Sequence, residues 1–306
     1  MSPLILSLAV ITIVLLPMLL LGTLVFTWRW LRRRRKRRSP LTSELLRPPG
    51  FGLSERLDDL RWDLAGYLMI VSLIPATLLA LFLAQIVFGE PVETPSLVRH
   101  ALIDVAGGLL LVIALAVLVV RQAKRIWSYR EGRDGELATA QLLEPIIAGG
   151  GRVLHDIQGA GFNIDHVVVA AGGVFAIETK HRMKPAAGGG PDNAKVRFDG
   201  KALHFPDWTD VKTAIQAAAE ARWLAERLTR ATGMTVRVRP IIELPGWFVE
   251  NKARSDVFAI NPKNCRFMLK PFQGEAPLDP QTIARIAFQV EQLCHLPDPG
   301  KRRNSP

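Results

Sequence analysis

Three long apolar runs dominate the first 130 residues, and shorter alternating elements follow them. The runs cover residues 4–26, 65–88 and 101–120. Each is long enough, at about 1.5 Å per helical residue, to cross roughly 30 Å of hydrocarbon. The pattern predicts an α-helical membrane region at residues 1–130 with three transmembrane helices.

The basic residues beside these runs predict their orientation. Seven arginines and one lysine lie between 29 and 38, and four more basic residues lie between 121 and 130. A cleaved signal peptide carries its positive charge before the apolar run, so this order favours a retained span. With both clusters in the cytoplasm, the N-terminus is outside and the loop 29–64 is cytosolic. We expect a multi-pass protein of the cell inner (plasma) membrane whose C-terminal domain, residues 131–306, is cytosolic.

Three local patterns lie in or beside the predicted spans. Leu57, Leu60 and Leu64 recur at helical spacing and predict a short surface helix in the loop. The pair Gly107 and Gly108 in the third run predicts a place where helices pack closely. The basic cluster after the first run is expected to contact anionic head groups, which makes the lipid bilayer a predicted partner.

Beyond Arg130 the apolar stretches shorten and alternate, as in an α/β domain. A helix is predicted to start near Asp134, a suitable N-cap, and to end at the glycines 149–151. Strands are predicted at 152–157, 164–170, 173–180, 236–244 and 257–260, and a last helix at 281–294. Between them, a helix is predicted from the stripe Val211, Ala214, Ile215, Ala218, Ala221, Leu224 and Leu228.

The net charge of +11 does not by itself indicate a nucleic-acid partner, because of where the charges lie. Sixteen lysines and arginines and eight acidic residues precede Glu131, against 23 and 20 from Glu131 onward. Most of the basic excess therefore flanks the apolar runs. Cys265 and Cys294 have no zinc-ligand spacing, and we predict free thiols in a reducing compartment.

The candidate chemistry lies on the hairpin formed by the second and third predicted strands. If Ala171–Gly172 is a two-residue turn, paired positions sum to 343 and Asp165 lies opposite Glu178. If the turn moves on by one residue, Asp165 lies opposite Lys180 and diagonal to Glu178. Both registers put the three side chains on one face, whereas a three-residue turn would not.

Two carboxylates on opposed strand positions repel each other unless a positive charge compensates them. Mg²⁺ or Mn²⁺, which typically takes one or two carboxylates plus water, would do so. Lys180 emerges on the same face, where its ammonium group can orient a water molecule or balance a phosphate charge. The hairpin therefore predicts a Mg²⁺ or Mn²⁺ site at Asp165 and Glu178.

The hairpin sequences resemble those of the nuclease-related domain, a branch of the PD-(D/E)xK nuclease superfamily. The likeness rests on Asn-Ile-Asp-His-Val-Val-Val at 163–169 and Glu-Thr-Lys at 178–180. Gly-Arg-Asp-Gly-Glu at 132–136 and Val-Leu-His-Asp-Ile at 153–157 extend it. The resemblance implies a restriction-endonuclease-like α/β domain with a central mixed sheet flanked by helices.

The resemblance also implies roles for the hairpin residues. Asp165 and Glu178 would hold the metal, the Thr179 carbonyl would add a ligand, and Lys180 would assist the attacking water.

Two helical residues carry over with alternatives. Glu136 matches an acidic residue on the family's first helix; alternatively, it is a first-turn carboxylate that interacts with the helix dipole. Gln216 resembles the superfamily's glutamine on the following helix; alternatively, it is an ordinary surface residue.

The sequence departs from the family after Lys180. Where relatives commonly have a short glycine-containing turn with an aromatic neighbour, residues 181–190 form either a substrate flap or a lengthened surface loop. The basic residues nearby either contact phosphates or are solvated loop charges. They are Arg182, Lys184, Lys195, Arg197 and Lys201.

Histidines near the hairpin give a weaker metal hypothesis. His155, His166 and His181 lie close in sequence to the predicted site, but none has a second ligand at a zinc-like spacing. Strand alternation also points His166 away from Asp165.

Two functions compete on these grounds. The first is a membrane-anchored, metal-dependent nuclease that hydrolyses phosphodiester bonds, with DNA as the substrate the resemblance suggests. The alternative is a catalytically idle nucleic-acid-binding or scaffold module tethered to the membrane. The intact Asp165, Glu178 and Lys180 favour catalysis, because an idle module gains nothing from a like-charge pair that costs stability.

Overall fold

A computed structural model of the protein describes residues 45–88, 94–185 and 191–296, with a few single positions between 20 and 31. The described chain divides into two compact units. One contains residues 58–127, and the other contains 45–57 together with 128–296. The predicted first span and the basic cluster after it lie, apart from single positions, outside the described residues.

Two long helices carry the second and third apolar runs. They are α1 (Phe51–Phe88) and α2 (Thr94–Leu142). Stretches at Phe51–Leu79 and Leu102–Ala148 are long and apolar enough to cross a membrane. Length and composition are the only support for membrane association, and they give two candidate spans among the described residues.

Within residues 58–127 the two helices pack closely at one glycine. A Cβ atom added to Gly108 would lie 2.6 Å from Cδ1 of Leu78, while one added to Gly107 would meet nothing within 4 Å. The side-chain amide of Gln122 donates a hydrogen bond to the Leu60 carbonyl at 3.2 Å. The predicted close packing is confirmed at Gly108.

Two helices were predicted to start elsewhere than the structure has them: the short helix that contains Leu57 and the helix near Asp134. The leucines of the predicted short surface helix belong to α1, and α2 runs through Asp134 without a break, so Asp134 is not an N-cap. No proline interrupts the sequence between Pro95 and Pro145, and residues 121–142 are mostly good helix formers. The helix therefore ends only at Leu142, before the short α3 (Glu144–Ala148).

A five-stranded mixed sheet forms the centre of the second unit, in the order β1-β2-β3-β7-β9. The first three strands are antiparallel, while β7 and β9 join in parallel. Their bounds are β1 Arg152–Gln158, β2 Asn163–Ala170, β3 Gly173–Thr179, β7 Val238–Glu243 and β9 Phe258–Ile260. The predicted strands agree with these bounds within two residues at each end.

Helices cover both faces of this sheet. One face packs against α4 (Lys212–Thr232) and α5 (Pro280–Glu291), through residues such as Leu224 and Ile286. The other face packs against α3 and a 3₁₀ helix at Pro262–Leu269, with Ile146 and Met268 in the core. The predicted α/β architecture, a mixed sheet with flanking helices, is confirmed.

The buried face of α4 is partly rotated from the predicted stripe. Val211 and Ile215 are 52% and 69% exposed, whereas Ala217 and Glu220 are buried. The alanines let the helix lie close to the sheet, so that an acidic side chain occupies a position that hydrophobic patterning assigns to solvent.

A second, smaller sheet was not predicted. It has the order β6-β5-β4-β8, and two of its strands are only two residues long. Strands this short leave no alternation for a pattern to detect. Their bounds are β4 Lys195–Phe198, β5 Leu203–His204, β6 Thr209–Asp210 and β8 Phe248–Asn251.

Candidate active site

The β2–β3 hairpin has the two-residue turn that the sequence predicts. Ala170 pairs with Gly173 and His166 with Ile177, so paired positions sum to 343. Asp165 and Glu178 are the next positions outward along this register. Because side chains alternate along a strand, both share the face of Val167 and Ala176, which is the face covered by α4.

Two hydrogen bonds organise the strand ends. The backbone N–H of Thr179 donates to Oδ2 of Asp165 at 2.8 Å. The ammonium group of Lys180 donates to Oε1 of Glu178 at 2.5 Å. The other oxygen of Glu178, Oε2, is buried without a hydrogen-bond partner. Asp165 and Glu178 are 8% and 3% exposed, so their carboxylates lie almost entirely out of bulk water.

One cavity of about 310 Å³ brings the sequence-predicted site residues together. Its walls include six of them: Glu136, Asp165, Glu178, Thr179, Lys180 and Gln216. Glu136 reaches the cavity from α2 and Gln216 from α4, although the two lie 80 positions apart in the sequence. Because α2 begins at Thr94, Glu136 does not lie in a first helical turn, and the roles of Glu136 and Gln216 in the site stay predictions.

Glu220 is a further acidic residue of the cluster that sequence reasoning missed. It is 4% exposed, and its Oε1 accepts a hydrogen bond from the side-chain amide of Gln216 at 2.8 Å. The available signal was its position one helical turn after Gln216, where side chains lie on the same helix face. The charge of the nearby Glu178 contributes to the raised pKa of Glu220 described next.

Burial and the charges of neighbouring carboxylates raise the pKa values of Asp165, Glu136 and Glu220. Burial, then the charges of Glu178 and Glu136, raises the pKa of Asp165 well above its usual range. Burial and then the charge of Asp156 raise the pKa of Glu136 to about 7. Burial and then the charge of Glu178 raise the pKa of Glu220 to about 8. The cluster therefore resists full ionisation near neutral pH unless positive charge is added.

Lys180 supplies part of that charge. Burial lowers the pKa of its ammonium group, but the charge of Glu178 and their hydrogen bond outweigh burial, so the pKa is raised. Lys180 therefore stays charged at neutral pH. One ammonium group faces several carboxyl groups, which leaves the cluster short of positive charge.

The donor set fits a hard divalent cation, although it does not form a complete cage. Glu178 Oε2 is a buried acceptor without a donor, and Asp165 retains lone pairs beyond its bond to Thr179. Among the described residues, no three Asp, Glu, His or Cys side chains converge as a ready ligand set. Mg²⁺ commonly takes one or two carboxylates and fills its remaining positions with water.

Of the three histidines near the hairpin, His181 lines the carboxylate cavity, whereas His155 and His166 do not. His155 and His166 face each other across β1 and β2, with their Nδ1 atoms 2.8 Å apart. Burial lowers the pKa values of both rings, to about 4 for His155, so they are neutral at physiological pH. His181 packs closely against α2. A Cβ atom added to Gly135 would lie 2.4 Å from the Cβ atom of His181. A glycine is therefore required at position 135 for the strand end to approach the helix.

The segment after Lys180 leads from the cavity toward aromatic side chains. The guanidinium of Arg182 lies 5.1 Å from the ring centre of Trp208, and Lys184 lies 5.7 Å from that of Trp247. The indole N–H of Trp247 donates to the Arg182 carbonyl at 3.1 Å. The part of the predicted flap at 186–190 lies outside the described residues.

The rest of the basic stretch lies on the second sheet. Lys195 and Arg197 line a separate cavity with His204, and Lys201 follows β4 in an exposed turn. Of the five predicted basic residues, only Arg182 lines the carboxylate cavity.

Comparison with known families agrees with the geometry. Residues 131–245 match the family model described as the nuclease-related domain (NERD). No curated protein and no solved structure matches the chain significantly. The matched segment contains the six site residues Glu136, Asp165, Glu178, Thr179, Lys180 and Gln216, whereas the cavity residues Leu53, Ser128 and Tyr129 lie outside it. The segment that carries the buried carboxylates is therefore similar to the nuclease-related domain.

Proposed function

We propose that the protein is a membrane-anchored, divalent-metal-dependent nuclease that hydrolyses phosphodiester bonds, with DNA as its substrate. The observation that carries this proposal is the convergence of Asp165, Glu178 and Lys180 in one cavity, with Oε2 of Glu178 buried and unpartnered. A nuclease-related function is what the family match suggests for this segment.

Asp165, Glu178 and the carbonyl of Thr179 would hold Mg²⁺ or Mn²⁺. When bound, such a cation polarises the phosphate and lowers the pKa of an attached water. The bond from the Thr179 N–H fixes the Asp165 carboxylate at the cavity wall, so the carboxylate does not have to reorganise on binding. The added positive charge would also relieve the repulsion within the cluster.

Lys180 would exchange its partner during the reaction. Its ammonium group now bonds Glu178, but the same group reaches the cavity that a scissile phosphate would enter. There it can orient the attacking water and stabilise charge on the phosphate oxygens.

Glu136 and Gln216 would complete the cavity walls. With a pKa near 7, Glu136 can accept or hold a proton at physiological pH. Gln216, whose side-chain amide donates to Glu220, would form another part of the wall.

The basic and aromatic segment after Lys180 would carry the polynucleotide. Arg182 lies on the cavity wall and over Trp208, so a backbone phosphate at the cavity could contact it. A basic groove with aromatic faces is the usual combination for nucleic-acid strands.

The membrane part of the proposal rests on the apolar helices and the basic flanks. We propose a multi-pass protein of the cell inner membrane with residues 131–306 in the cytosol, where nucleic acid is present. Reporter fusions after Pro306 test the orientation: an external signal would overturn it.

A catalytically idle binding or scaffold module remains the second candidate. The observation that favours it is the Lys180–Glu178 ion pair, which neutralises one carboxylate without any cation. An idle module would bind nucleic acid equally well with or without divalent metal.

The deciding experiment uses the full chain purified in detergent. Single- and double-stranded DNA and RNA are incubated with Mg²⁺, with Mn²⁺ or with chelator, and wild type is compared with Lys180→Ala. The proposal expects metal-dependent cleavage that Lys180→Ala reduces roughly 10²- to 10⁴-fold, the usual range for a positioned acid–base group. Metal-independent binding without cleavage of any substrate would instead favour the idle module.

A further inference from the structure

A segment far outside the family match reaches into the candidate active site. Residues 45–52 precede and begin α1, yet they belong to the compact unit of residues 128–296. We infer that this segment, through Arg47 and Gly50, is a positioning element that holds the Glu136 carboxylate in place. The inference rests on the proposed function, because Glu136 acts in that reaction.

The segment is fixed to the C-terminal end of the domain by backbone bonds. Leu46 forms an antiparallel bridge with His295, and the N–H of Arg47 donates to the Cys294 carbonyl at 2.7 Å. The N–H of Leu296 donates to the Leu45 carbonyl at 2.8 Å. The segment thus lies as a short added strand beside residues 294–296.

Arg47 anchors the segment to β1 through a buried ion pair. Its Nη1 donates to Oδ2 of Asp156 at 2.7 Å, and the two side chains are 11% and 1% exposed. The other oxygen of Asp156 accepts from the side-chain amide of Asn163 at 2.9 Å. Loss of Arg47 would leave a buried carboxylate without its cation, which is far more costly than loss of a surface pair.

Gly50 connects this anchor to the site. Its N–H donates to Oε2 of Glu136 at 3.0 Å. It has a left-handed φ of +70°, and a Cβ atom there would lie 2.8 Å from Cγ of Arg133. The donor therefore depends on a glycine in a close approach to α2.

Residues 45–52 contact both Asp156 and Glu136. A Cβ atom on Gly52 would lie 3.2 Å from Oδ1 of Asp156, so the chain passes close to that carboxylate as well. Arg47 balances the charge of Asp156, which otherwise acts on Glu136. Displacing the segment removes the donor to Glu136 and the cation beside Asp156 together.

The test measures turnover, substrate KM and Mn²⁺ affinity for the full chain in detergent. Arg47→Ala removes the anchor, and Gly50→Ala displaces the donor by backbone strain. Arg237→Ala is the matched control, because it removes an exposed arginine that pairs with Glu275 at 3.4 Å. Both segment variants should lower turnover roughly 10- to 100-fold, the usual loss when an outer partner of a site residue is removed. They should leave Mn²⁺ affinity and KM nearly unchanged, because Glu136 is not a proposed metal ligand, and Arg237→Ala should match wild type.

A double-mutant cycle separates positioning from plain stabilisation. In a Glu136→Gln background, Arg47→Ala should cause little further loss of turnover, because the group it positions is already changed. Arg47→Lys, which keeps the charge, should recover part of the activity. If Arg47→Ala fails to fold, Gly50→Ala and Arg47→Lys decide by the same measurements.

The outcomes are distinguishable. A wild type that cleaves, with folded segment variants at wild-type turnover or with fully additive losses, overturns this inference alone. A wild type that cleaves nothing and binds no divalent cation overturns the proposed function and the inference with it.

Discussion

Buried carboxyl groups occur in two places near the ends of β3 and β7, and their surroundings differ. Asp165 and Glu178 line a cavity with Glu136 and Lys180, and Glu220 lies beside Glu178. Glu243 is fully buried on the other face, where neither of its side-chain oxygens has a hydrogen-bond partner. Its pKa is raised to about 8 by burial alone.

Burial of a carboxyl group therefore does not by itself identify a functional site. Glu243 avoids the cost of burying a negative charge by taking up a proton, and no described group beside it would bind the ionised form. The cavity cluster combines burial with mutual repulsion and an opening, so added positive charge can change its state. If this distinction is correct, the two groups must respond differently to substitution, cations and pH.

The largest expected difference is in catalysis. Asp165→Asn or Glu178→Ala removes a proposed metal ligand. Loss of a residue that only supports a ligand costs up to roughly 100-fold, so cleavage should fall by more than that. Glu243→Leu should leave turnover within about threefold of wild type, since the residue does not touch the cavity. Steady-state cleavage by the three variants measures this. Equal losses in all three would mean that the cluster matters only for folding.

Cation binding should stabilise the cluster and leave Glu243 unaffected. Saturating Mg²⁺ or Mn²⁺ at roughly 100 times Kd should add about 2.7 kcal/mol to the free energy of unfolding, because only the folded state binds. This gain should disappear in Glu178→Ala and persist in Lys180→Ala, which removes no ligand. Thermal unfolding with titration calorimetry tests both. Without metal, Asp165→Asn should melt above wild type, because it relieves the opposed carboxylates.

The pH dependence of stability should separate the two groups again. Folding raises the pKa values of Glu136, to about 7, and Glu220, to about 8, from an ordinary 4.5. The folded state then binds more protons than the unfolded state, so stability falls as pH rises from about 4.5 to 8, on the order of 1 kcal/mol per pH unit. Divalent metal should flatten this decline. Glu243 contributes a similar decline of stability with rising pH, and divalent metal should leave that decline unchanged. Glu243→Leu should therefore remove only the metal-insensitive part of the total decline.

The smallest effect concerns the stability cost of Glu243 itself. Replacing its unpartnered carboxyl by an apolar side chain of similar size, Glu243→Leu, should raise the free energy of unfolding by about 1–3 kcal/mol at pH 7. Denaturant unfolding of the full chain in detergent measures it, with Ile241→Val as a control for disturbance of the same strand. A destabilised Glu243→Leu would reveal a polar role for Glu243 that the contacts do not account for.

Sequence patterns predicted the hairpin geometry correctly because that geometry is local. The two-residue turn and strand alternation fix the face of Asp165 and Glu178, and both can be counted along the chain. Glu220 escaped notice because an acidic residue in a helix is ordinarily assigned to solvent, and only the approach of α4 to the sheet buries it.

Contacts between segments that are distant in the sequence could not be predicted, for a different reason. Nothing in the hydropathy pattern joins residues 45–57 to a domain that begins more than 70 residues later, since the contacts are single backbone bonds and one ion pair. The helix start at Asp134 was wrong because a good N-cap residue also fits inside a helix when no breaker precedes it.

The Ala171–Gly172 turn constrains how this domain can change over generations. Its Gly172 fits so tightly that a Cβ atom would lie 2.3 Å from the Met268 carbonyl oxygen, and its N–H donates to that oxygen at 3.0 Å. One inserted residue would move Glu178 to the opposite side of the sheet. Many side chains along the hairpin can be exchanged for others of similar size, but its length cannot drift without separating the two acids. Insertions and deletions should therefore accumulate in other loops and spare this one.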